Sequence, residues 1–268
     1  MTHDQAPGTN GRIHDSASAG YSRAAETYEM GRPGYSPAVI AWLRDIVGIT
    51  TGRTVLEVGA GTGTFTSILK ETGAEVYAVE PVSAMRALLK RRIPSAPTLA
   101  GTAADLPIRD ASVDAVVCAQ SFHWFATGQA LREFSRVMTF GGMLVLVWNV
   151  RDETVPWVKR LSAITDEYEG DTPRFKTRRW QDAFAGSGFV EIDHREVGHV
   201  HIGLADHVVI ARTLSVSFVA ALGAEQRQKL TQRLHRFVDE EPALAGQTRV
   251  AFPYRTAMFA YRAPGTRR

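Results

Sequence analysis

A regular alternation of short apolar runs with amphipathic segments, between residues 50 and 150, limits the possible folds more than any other feature of the sequence. Runs rich in β-branched and other apolar residues predict buried strands at 54–58, 75–79, 113–118 and 143–148. The segments between them carry apolar residues at helical spacing. Strands that alternate with helices predict a parallel sheet with right-handed crossovers, and hence a doubly wound α/β fold.

The helices around these strands have predicted ends. The first helix is expected over about 37–48, before the first strand. Ser83 is predicted to cap the helix after the second strand. A later amphipathic helix is expected to continue through Met138, and Gly141 with Gly142 is predicted to end it.

The pattern is weaker beyond residue 151. Residues 152–185 mix polar and aromatic residues, and 203–247 show helical patterns, so both are predicted to belong to a helical cap inserted after the fifth strand. Further strands are expected at 189–192 and at about 250–261. The cap segments lie where we expect the chain to surround a substrate.

Composition excludes several classes of protein. The chain of 268 residues has 31 Lys and Arg against 28 Asp and Glu, a formal net charge of +3, which is too small to indicate a nucleic-acid or membrane partner. No apolar run approaches the ~18 residues that span a bilayer. Residues 1–20 hold almost nothing to bury and predict a flexible tail, which leaves 21–268 as the folded domain. Nothing in the sequence predicts an oligomeric state.

Cys118 is the only cysteine, so internal disulfides and multi-thiolate metal sites are excluded and a reducing, cytoplasmic location is expected. His199, His201 and His207 lie close together in the sequence, but Asp206 is the only acid near them. No metal site is therefore predicted.

The first strand leads into a glycine-rich turn that begins after Glu57. In an open α/β sheet, ligands bind at the carboxyl ends of the strands, and this turn usually forms one wall of the site. The glycines follow the pattern G-x-G-x-G, and Thr64 stands where a dinucleotide motif has its third glycine. A carboxylate at Glu57 suits an ammonium group better than a pyrophosphate.

The second strand ends at another acid, Glu80, about twenty residues after the turn begins. A carboxylate at this place accepts hydrogen bonds from both hydroxyls of a ribose. The two acids together predict a ligand made of a nucleoside joined to an amino acid. An NAD-dependent oxidoreductase remains the alternative, and the glycine spacing and Glu57 count against it.

Five stretches in this order resemble the class I S-adenosylmethionine-dependent methyltransferases: TVLEVGAGTG at 54–63, VYAVEP at 76–81, GTAADLP at 101–107, VDAVVCAQSFHWF at 113–125 and GGMLVLVWN at 141–149. The resemblance covers about residues 20–150 and is nearest to small-molecule enzymes of the trans-aconitate methyltransferase type, some of which esterify carboxylates. It implies a Rossmann-like, mostly parallel seven-stranded sheet and S-adenosyl-L-methionine as the cofactor.

The resemblance also implies roles for individual residues. The methionine end would lie against Glu57, Gly59, Ala60, Gly61 and Gly63, and the ribose against Glu80. The adenine would lie near Pro81, Met85, Thr102 and Ala103, the sulfonium near Ala119 and Gln120, and the amino-acid end under a segment with Tyr28 and Arg32. Many relatives have Asp at the place of Thr102 and Glu at that of Ala104, whereas this chain has its acid at Asp105.

The acceptor side is predicted to include His123 as a catalytic residue and Trp124, Trp148 and Asn149 as substrate contacts. A carboxylate acceptor is ionised at neutral pH and needs no base, whereas a hydroxyl needs one, which is the role that His123 would fill. The expected function is O-methylation of a small molecule with a carboxylate or hydroxyl. A non-catalytic protein that binds S-adenosylmethionine is a further alternative.

Overall fold

The computed structural model describes residues 33–265, so the predicted tail and both Tyr28 and Arg32 lie outside the described residues. The described part contains seven strands: β1 (Thr54–Val58), β2 (Glu75–Val79), β3 (Thr98–Leu99), β4 (Val113–Ala119), β5 (Met138–Arg151), β6 (Val190–Gly203) and β7 (Val250–Arg262). They form one sheet in the order β3-β2-β1-β4-β5-β7-β6. The first five strands are parallel, and β7 runs antiparallel to both β5 and β6. The predicted doubly wound, mostly parallel seven-stranded sheet is confirmed.

Helices connect the strands. They are α1 (Ala38–Asp45), α2 (Thr64–Glu71), α3 (Ser83–Arg92), α4 (Gly128–Val137), α5 (Pro156–Asp166), α6 (Arg212–Leu214), α7 (Ser217–Ala220) and α8 (Ala224–Glu240). Short 3₁₀ segments lie at Phe122–Trp124, Phe175–Thr177 and Arg179–Phe184, and a π-helical segment at Asp206–Ala211. Among residues 33–265, no helix combines the length and apolar character that crossing a bilayer requires.

The prediction that Gly141 and Gly142 end a helix is wrong. The helix ends at Val137, and Met138 already pairs with Val113 as the first residue of β5. The pairing of β4 with β5 is irregular between Val113 and Ala115, and Gly141 has a φ of +74°. The two glycines therefore lie in an irregular first part of β5. In the sequence, a pair of glycines at such a place looks the same as a pair that ends a helix.

The prediction that Ser83 caps the helix after the second strand, α3, is also wrong. Its side chain makes no capping hydrogen bond, and Ser83 is the first helical residue. The free N–H of Val82 instead donates to Glu80 Oε1 at 2.9 Å. The acid that directly follows β2 thus satisfies an N–H group at the start of this helix.

Two apolar layers cover the sheet, one on each face. One face packs against α4 and the aromatic residues of the 175–184 segment, with Phe134, Trp148 and Trp180 in its core. The other face packs against α1 and α2, with Leu43 and Phe65 among the buried side chains. The carboxyl ends of β1, β2 and β4 lie between these layers at one edge of the sheet.

A third apolar cluster lies at this same edge. Strands β5 and β7 extend past the end of β4, since Ala119 pairs with Val147 while the pairing with β7 continues to Arg151 and Tyr254. The extended part of β7 packs against α5, the 208–210 segment and α8. Of the segments predicted as a cap, 156–166 and 208–240 belong to this cluster, whereas 175–184 packs against a face of the sheet. The role of these segments over a substrate and the boundary at residue 21 stay predictions.

Candidate functional site

The turn between β1 and α2 is fixed by hydrogen bonds to the end of β2. The N–H groups of Gly59 and Ala60 both donate to the carbonyl oxygen of Val79, at 2.9 and 3.2 Å. Gly59, Gly61 and Gly63 have φ values of +72°, +58° and +88°, in the left-handed region that favours glycine. The turn therefore depends on its glycines for its path.

The three glycines have different surroundings. A Cβ on Gly59 would stand 2.7 Å from the Cβ of Ser121, and one on Gly63 would stand 3.0 Å from Leu89 Cγ. A Cβ on Gly61 would meet nothing within 4 Å. Gly59 and Gly63 are thus required by packing inside the protein, while Gly61 borders open space where a ligand can approach the backbone.

Glu57 is the most deeply buried acid of the site. Only 1% of the residue is exposed, and its Oε2 accepts a hydrogen bond from Thr66 Oγ1 at 2.5 Å. Burial raises the pKa of Glu57 to about 8, against the lowering effect of the Thr66 bond, and the nearby charge of Glu80 raises it further. The carboxyl is poised to ionise when a cation arrives beside it.

The Glu80 carboxylate is held by backbone N–H groups from the glycine turn and from the residue before α3. Its Oε2 accepts from the N–H of Gly61 and its Oε1 from the N–H of Val82, each at 2.9 Å. Burial raises the pKa of this carboxyl, while these two bonds lower it. Each oxygen keeps a further lone pair, so Glu80 can also accept hydrogen bonds from a diol.

The predicted adenine side follows β2 and β3. Met85 is buried on α3, and Pro81 is half-buried at the end of β2. Thr102 and Asp105 exchange two backbone hydrogen bonds, at 3.2 and 3.1 Å, around the buried Ala103. The Asp105 side chain is exposed, and the contacts of these residues with a base stay predictions.

The end of β4 completes the wall opposite Glu80. Ala119 is buried, and Gln120 adopts a φ of +59°, which is unusual outside glycine. The Gln120 backbone N–H donates to Val147 at 2.8 Å, and its Nε2 donates to the carbonyl oxygen of Asn149 at 3.1 Å. The strained residue is therefore held from both main chain and side chain, as is common at ligand sites.

His123 is oriented by Trp148. The indole Nε1–H of Trp148 donates to His123 Nδ1 at 3.1 Å, and 1% of the Trp148 residue is exposed. Because Nδ1 accepts this bond, the neutral imidazole carries its proton on Nε2. His123 is thus arranged as a hydrogen-bond donor, and protonation at Nδ1 would break the bond from Trp148.

Aromatic rings surround Trp148. Its ring lies 4.8 Å from those of Phe175 and Trp180, and Trp124 lies 5.0 Å from His123. Such stacking fixes the indole and, through it, the histidine. The arrangement brings His123, Trp124 and Trp148 together, and the roles predicted for them toward an acceptor stay predictions.

Both atoms of the Asn149 side-chain amide already form hydrogen bonds within the protein. Its Nδ2 donates to the carbonyl oxygen of Gly34 at 2.6 Å, and its Oδ1 accepts from Thr256 Oγ1 at 2.6 Å. The residue is buried and ties the segment before α1 to the strand ends. Its predicted contact with an acceptor stays a prediction.

Sequence reasoning missed two residues that organise the turn. Thr66 reaches Glu57 from the first turn of α2, and its position nine residues after the acid was a usable signal. Ser121 Oγ donates to the carbonyl oxygen of Val58 at 2.8 Å beneath Gly59, and no pattern pointed to it. Within the described chain, no three His, Cys, Asp or Glu side chains converge as metal ligands would.

Comparison with known proteins identifies the family of the chain. Residues 56–146 match the family model described as a methyltransferase domain. An uncharacterized methyltransferase-like protein of Schizosaccharomyces pombe is 34% identical over 234 residues, which cover 87% of this chain and 91% of that relative. An uncharacterized methyltransferase of Mycobacterium tuberculosis is 36% identical over 239 residues, covering 89% and 93%.

Solved structures share the fold. One from Anaeromyxobacter dehalogenans, provisionally assigned as a type II methyltransferase, has a TM-score of 0.60 and 23% identity. The match covers 87% of this chain and 97% of the other. At this identity the likeness shows a common architecture, and the relatives above carry the assignment of the family.

Proposed function

Because the chain belongs to the class I S-adenosylmethionine-dependent methyltransferases, we propose that it methylates an oxygen atom of a small organic molecule, with a carboxylate as the preferred acceptor. S-adenosylmethionine, when bound, supplies an electrophilic methyl group on a positively charged sulfur. The remaining requirement is to bind and orient the acceptor, since an in-line displacement depends chiefly on position. Kinship to the trans-aconitate methyltransferase type is part of this proposal.

The residues of the turn fit the cofactor. The open space beside Gly61 admits a ligand to the backbone, and Glu80 offers free lone pairs to ribose hydroxyls. Glu57 is a buried carboxyl without a cation in hydrogen-bond range among the described residues, which suits an ammonium group. Two buried acids that share one glycine turn are the single observation that carries the proposal.

The orientation of His123 favours a carboxylate over a hydroxyl acceptor. A general base needs a free lone pair, and the bond from Trp148 occupies Nδ1 while the neutral ring holds its proton on Nε2. A carboxylate needs no base, and it can accept a hydrogen bond from Nε2–H that orients its attacking oxygen. His123 is then a positioning group for the acceptor.

The aromatic side chains around the acceptor side favour a small organic molecule. Trp124 is partly exposed beside His123 and supplies a flat apolar surface, which suits a small organic molecule. With a net charge of +3, the whole chain offers little general attraction to polyanions. The proposal therefore includes no nucleic-acid or membrane partner and a reaction in the cytoplasm.

A thermal shift assay tests the cofactor assignment. S-adenosylhomocysteine and S-adenosylmethionine should raise the melting temperature, because a ligand at 100 times its dissociation constant stabilises the folded state by ~2.7 kcal/mol. NAD and NADP, run in parallel, should have no effect. Stabilisation by NAD alone would contradict the proposal.

The acceptor class is tested with labelled S-adenosylmethionine and a panel of organic acids and phenols. A base-labile labelled product from the acids is expected, because methyl esters hydrolyse in alkali and methyl ethers do not. Label that resists alkali would show methylation of a hydroxyl instead.

A further inference from the structure

A row of polar side chains crosses the sheet beyond the site described above. Arg151, the last residue of β5, pairs with Tyr254 of β7, which pairs in turn with His199 of β6. Residues directly opposite each other in neighbouring strands project from the same face of a sheet. The guanidinium, the phenol and the imidazole thus start from one face, at the edge where the parallel strands end.

Arg151 carries a charge that the described residues leave uncompensated. Its guanidinium donates to Thr213 Oγ1 at 2.9 Å and to Thr165 Oγ1 at 3.3 Å, and both threonines are buried. Within residues 33–265, Arg151 has no carboxylate at ion-pair distance, whereas Arg160, Arg174 and Arg233 each pair with one. A guanidinium stays protonated at neutral pH, so the site presents a positive charge that is contacted by neutral hydroxyls and by the ring of Phe252, whose centroid lies 5.9 Å away.

Further positive charges surround this guanidinium. Burial lowers the pKa of Arg151 to about 10, and the charges of Arg212 and Arg174 lower it as well, while Tyr254 and Glu153 oppose them. Arg174 is paired with Glu169 at 3.0 Å. The charge of Arg151 therefore lies close to two further guanidinium groups.

Unpartnered buried polar atoms lie beside the same charges. The hydroxyl of Tyr254 is buried with no hydrogen-bond partner among the described residues, and 1% of the residue is exposed. His201 Nδ1 and Ser162 Oγ are also buried without a hydrogen-bond partner among the described residues. Ser162 connects to the cluster because its carbonyl oxygen accepts from Thr165 Oγ1, and the charge of Arg212 acts on His201. Buried polar atoms without partners are costly unless a ligand supplies the partners.

The cluster continues the reaction site. Arg151 follows Asn149 by two residues, which on an extended strand is about 7 Å. The carbonyl oxygen of Asn149 accepts the bond from Gln120, at the end of β4. A small molecule whose one end lies at Gln120 can therefore extend its other end along β5 toward Arg151.

We propose that Arg151, Tyr254 and their neighbours form a subsite for an anionic group, a carboxylate or a phosphate, at the end of the methyl acceptor remote from the methylated oxygen. The proposal rests on the proposed function for the identity of the ligand as the acceptor. The guanidinium supplies a charged donor, and the orphaned hydroxyl of Tyr254 a neutral one. The acceptor is accordingly an organic anion with a second charged group.

Isothermal titration calorimetry of the full chain, in the presence of saturating S-adenosylhomocysteine, tests the subsite without turnover. The probes are glutarate, inorganic phosphate and glutaramide, the neutral analogue of glutarate. The variants are Arg151→Met, Arg151→Lys and Tyr254→Phe. Arg233→Met is the matched control, since it removes the same charge from an exposed ion pair with Glu167.

We expect saturable binding of glutarate or phosphate to the wild type and none of glutaramide. Arg151→Met should weaken anion binding by about 10- to 100-fold, the loss of a charge-assisted hydrogen bond, and Arg151→Lys by less. Tyr254→Phe should also weaken it, whereas Arg233→Met should not. The anion that binds more tightly identifies the group as a carboxylate or a phosphate.

Absence of saturable binding of both anions at millimolar concentration would overturn the subsite, as would equal binding of glutaramide or an equal loss in Arg233→Met. The affinity for S-adenosylhomocysteine, measured in the same preparations, separates the two proposals. If that affinity is normal and the anions fail to bind, the subsite is wrong and the proposed function stands. If S-adenosylhomocysteine fails to bind, the proposed function is wrong, and the anion titration still decides the subsite. Circular dichroism identifies any variant that fails to fold, and Arg151→Lys then serves as the second test.

Discussion

The buried carboxyl of Glu57 should make the stability of the ligand-free protein fall as the pH rises. In the unfolded chain this carboxyl loses its proton near its ordinary pKa of 4.5, whereas in the folded chain burial raises the pKa to about 8. Between these values the folded state holds one more proton than the unfolded state. The free energy of unfolding therefore decreases by ~1.4 kcal/mol per pH unit, or by about 4 to 5 kcal/mol over the interval.

Replacing the acid with its neutral isostere should remove this dependence. In Glu57→Gln the amide oxygen can still accept the bond from Thr66 Oγ1, and no charge is buried as the pH rises. The new amide N–H₂ adds a cost of about 1 to 3 kcal/mol that does not vary with pH. The variant should thus be less stable than the wild type near pH 5 and more stable near pH 8.

Urea unfolding followed by tryptophan fluorescence at pH 5, 6, 7 and 8 measures the effect. Glu71→Gln is the matched control, because Glu71 is exposed at the end of α2, the helix that carries Thr66. The stability of this variant should change with pH as that of the wild type does. The difference between Glu57→Gln and the wild type should change by several kcal/mol across this range. A difference that stays constant with pH would show that Glu57 is ionised in the folded protein and would refute the reasoning.

Three further outcomes follow from the same geometry. In urea unfolding, Gly59→Ala should lower the free energy of unfolding by about 2 to 5 kcal/mol, because the new Cβ would clash with Ser121 and the residue has a positive φ. Gly61→Ala should lower it by only about 1 to 2 kcal/mol and should chiefly weaken the binding of S-adenosylhomocysteine. Burial raises the pKa of Cys118 well above its ordinary value, so iodoacetamide should label this thiol only under unfolding conditions; rapid labelling of the folded chain would contradict the packing. His123→Ala should reduce turnover less than ten-fold on a carboxylate acceptor without changing the pH profile, and a lost basic limb of that profile would identify a base.

The sequence predicted the central sheet because its strands are short, buried and nearly all apolar. The run at 113–118, for example, becomes β4 with one additional residue, Ala119. Edge strands lack this signal. β6 extends over 14 residues, yet only 189–192 was predicted, because its exposed side chains include both polar and apolar ones, such as Val200 and Ile202. The start of β5 was missed because glycines after a helix resemble a helix end.

The site was predicted in part for a related reason. Glu57 lies near the end of one predicted strand and Glu80 directly follows the next, so their meeting at one edge follows from parallel topology. The hydrogen bond between Trp148 and His123 depends on the packing of side chains that are 25 residues apart in the chain. The pairing of Arg151 with Tyr254 depends on the register of two strands about 100 residues apart. No local pattern encodes such a register.

A crystal structure of the chain with S-adenosylhomocysteine tests the central claim most directly. We expect both ribose hydroxyls within hydrogen-bond distance of Glu80 and the amino group of the ligand beside Glu57, with the backbone of Gly61 against the bound molecule. A nucleoside bound elsewhere, or a Glu80 carboxylate that faces away from the sugar, would contradict the account.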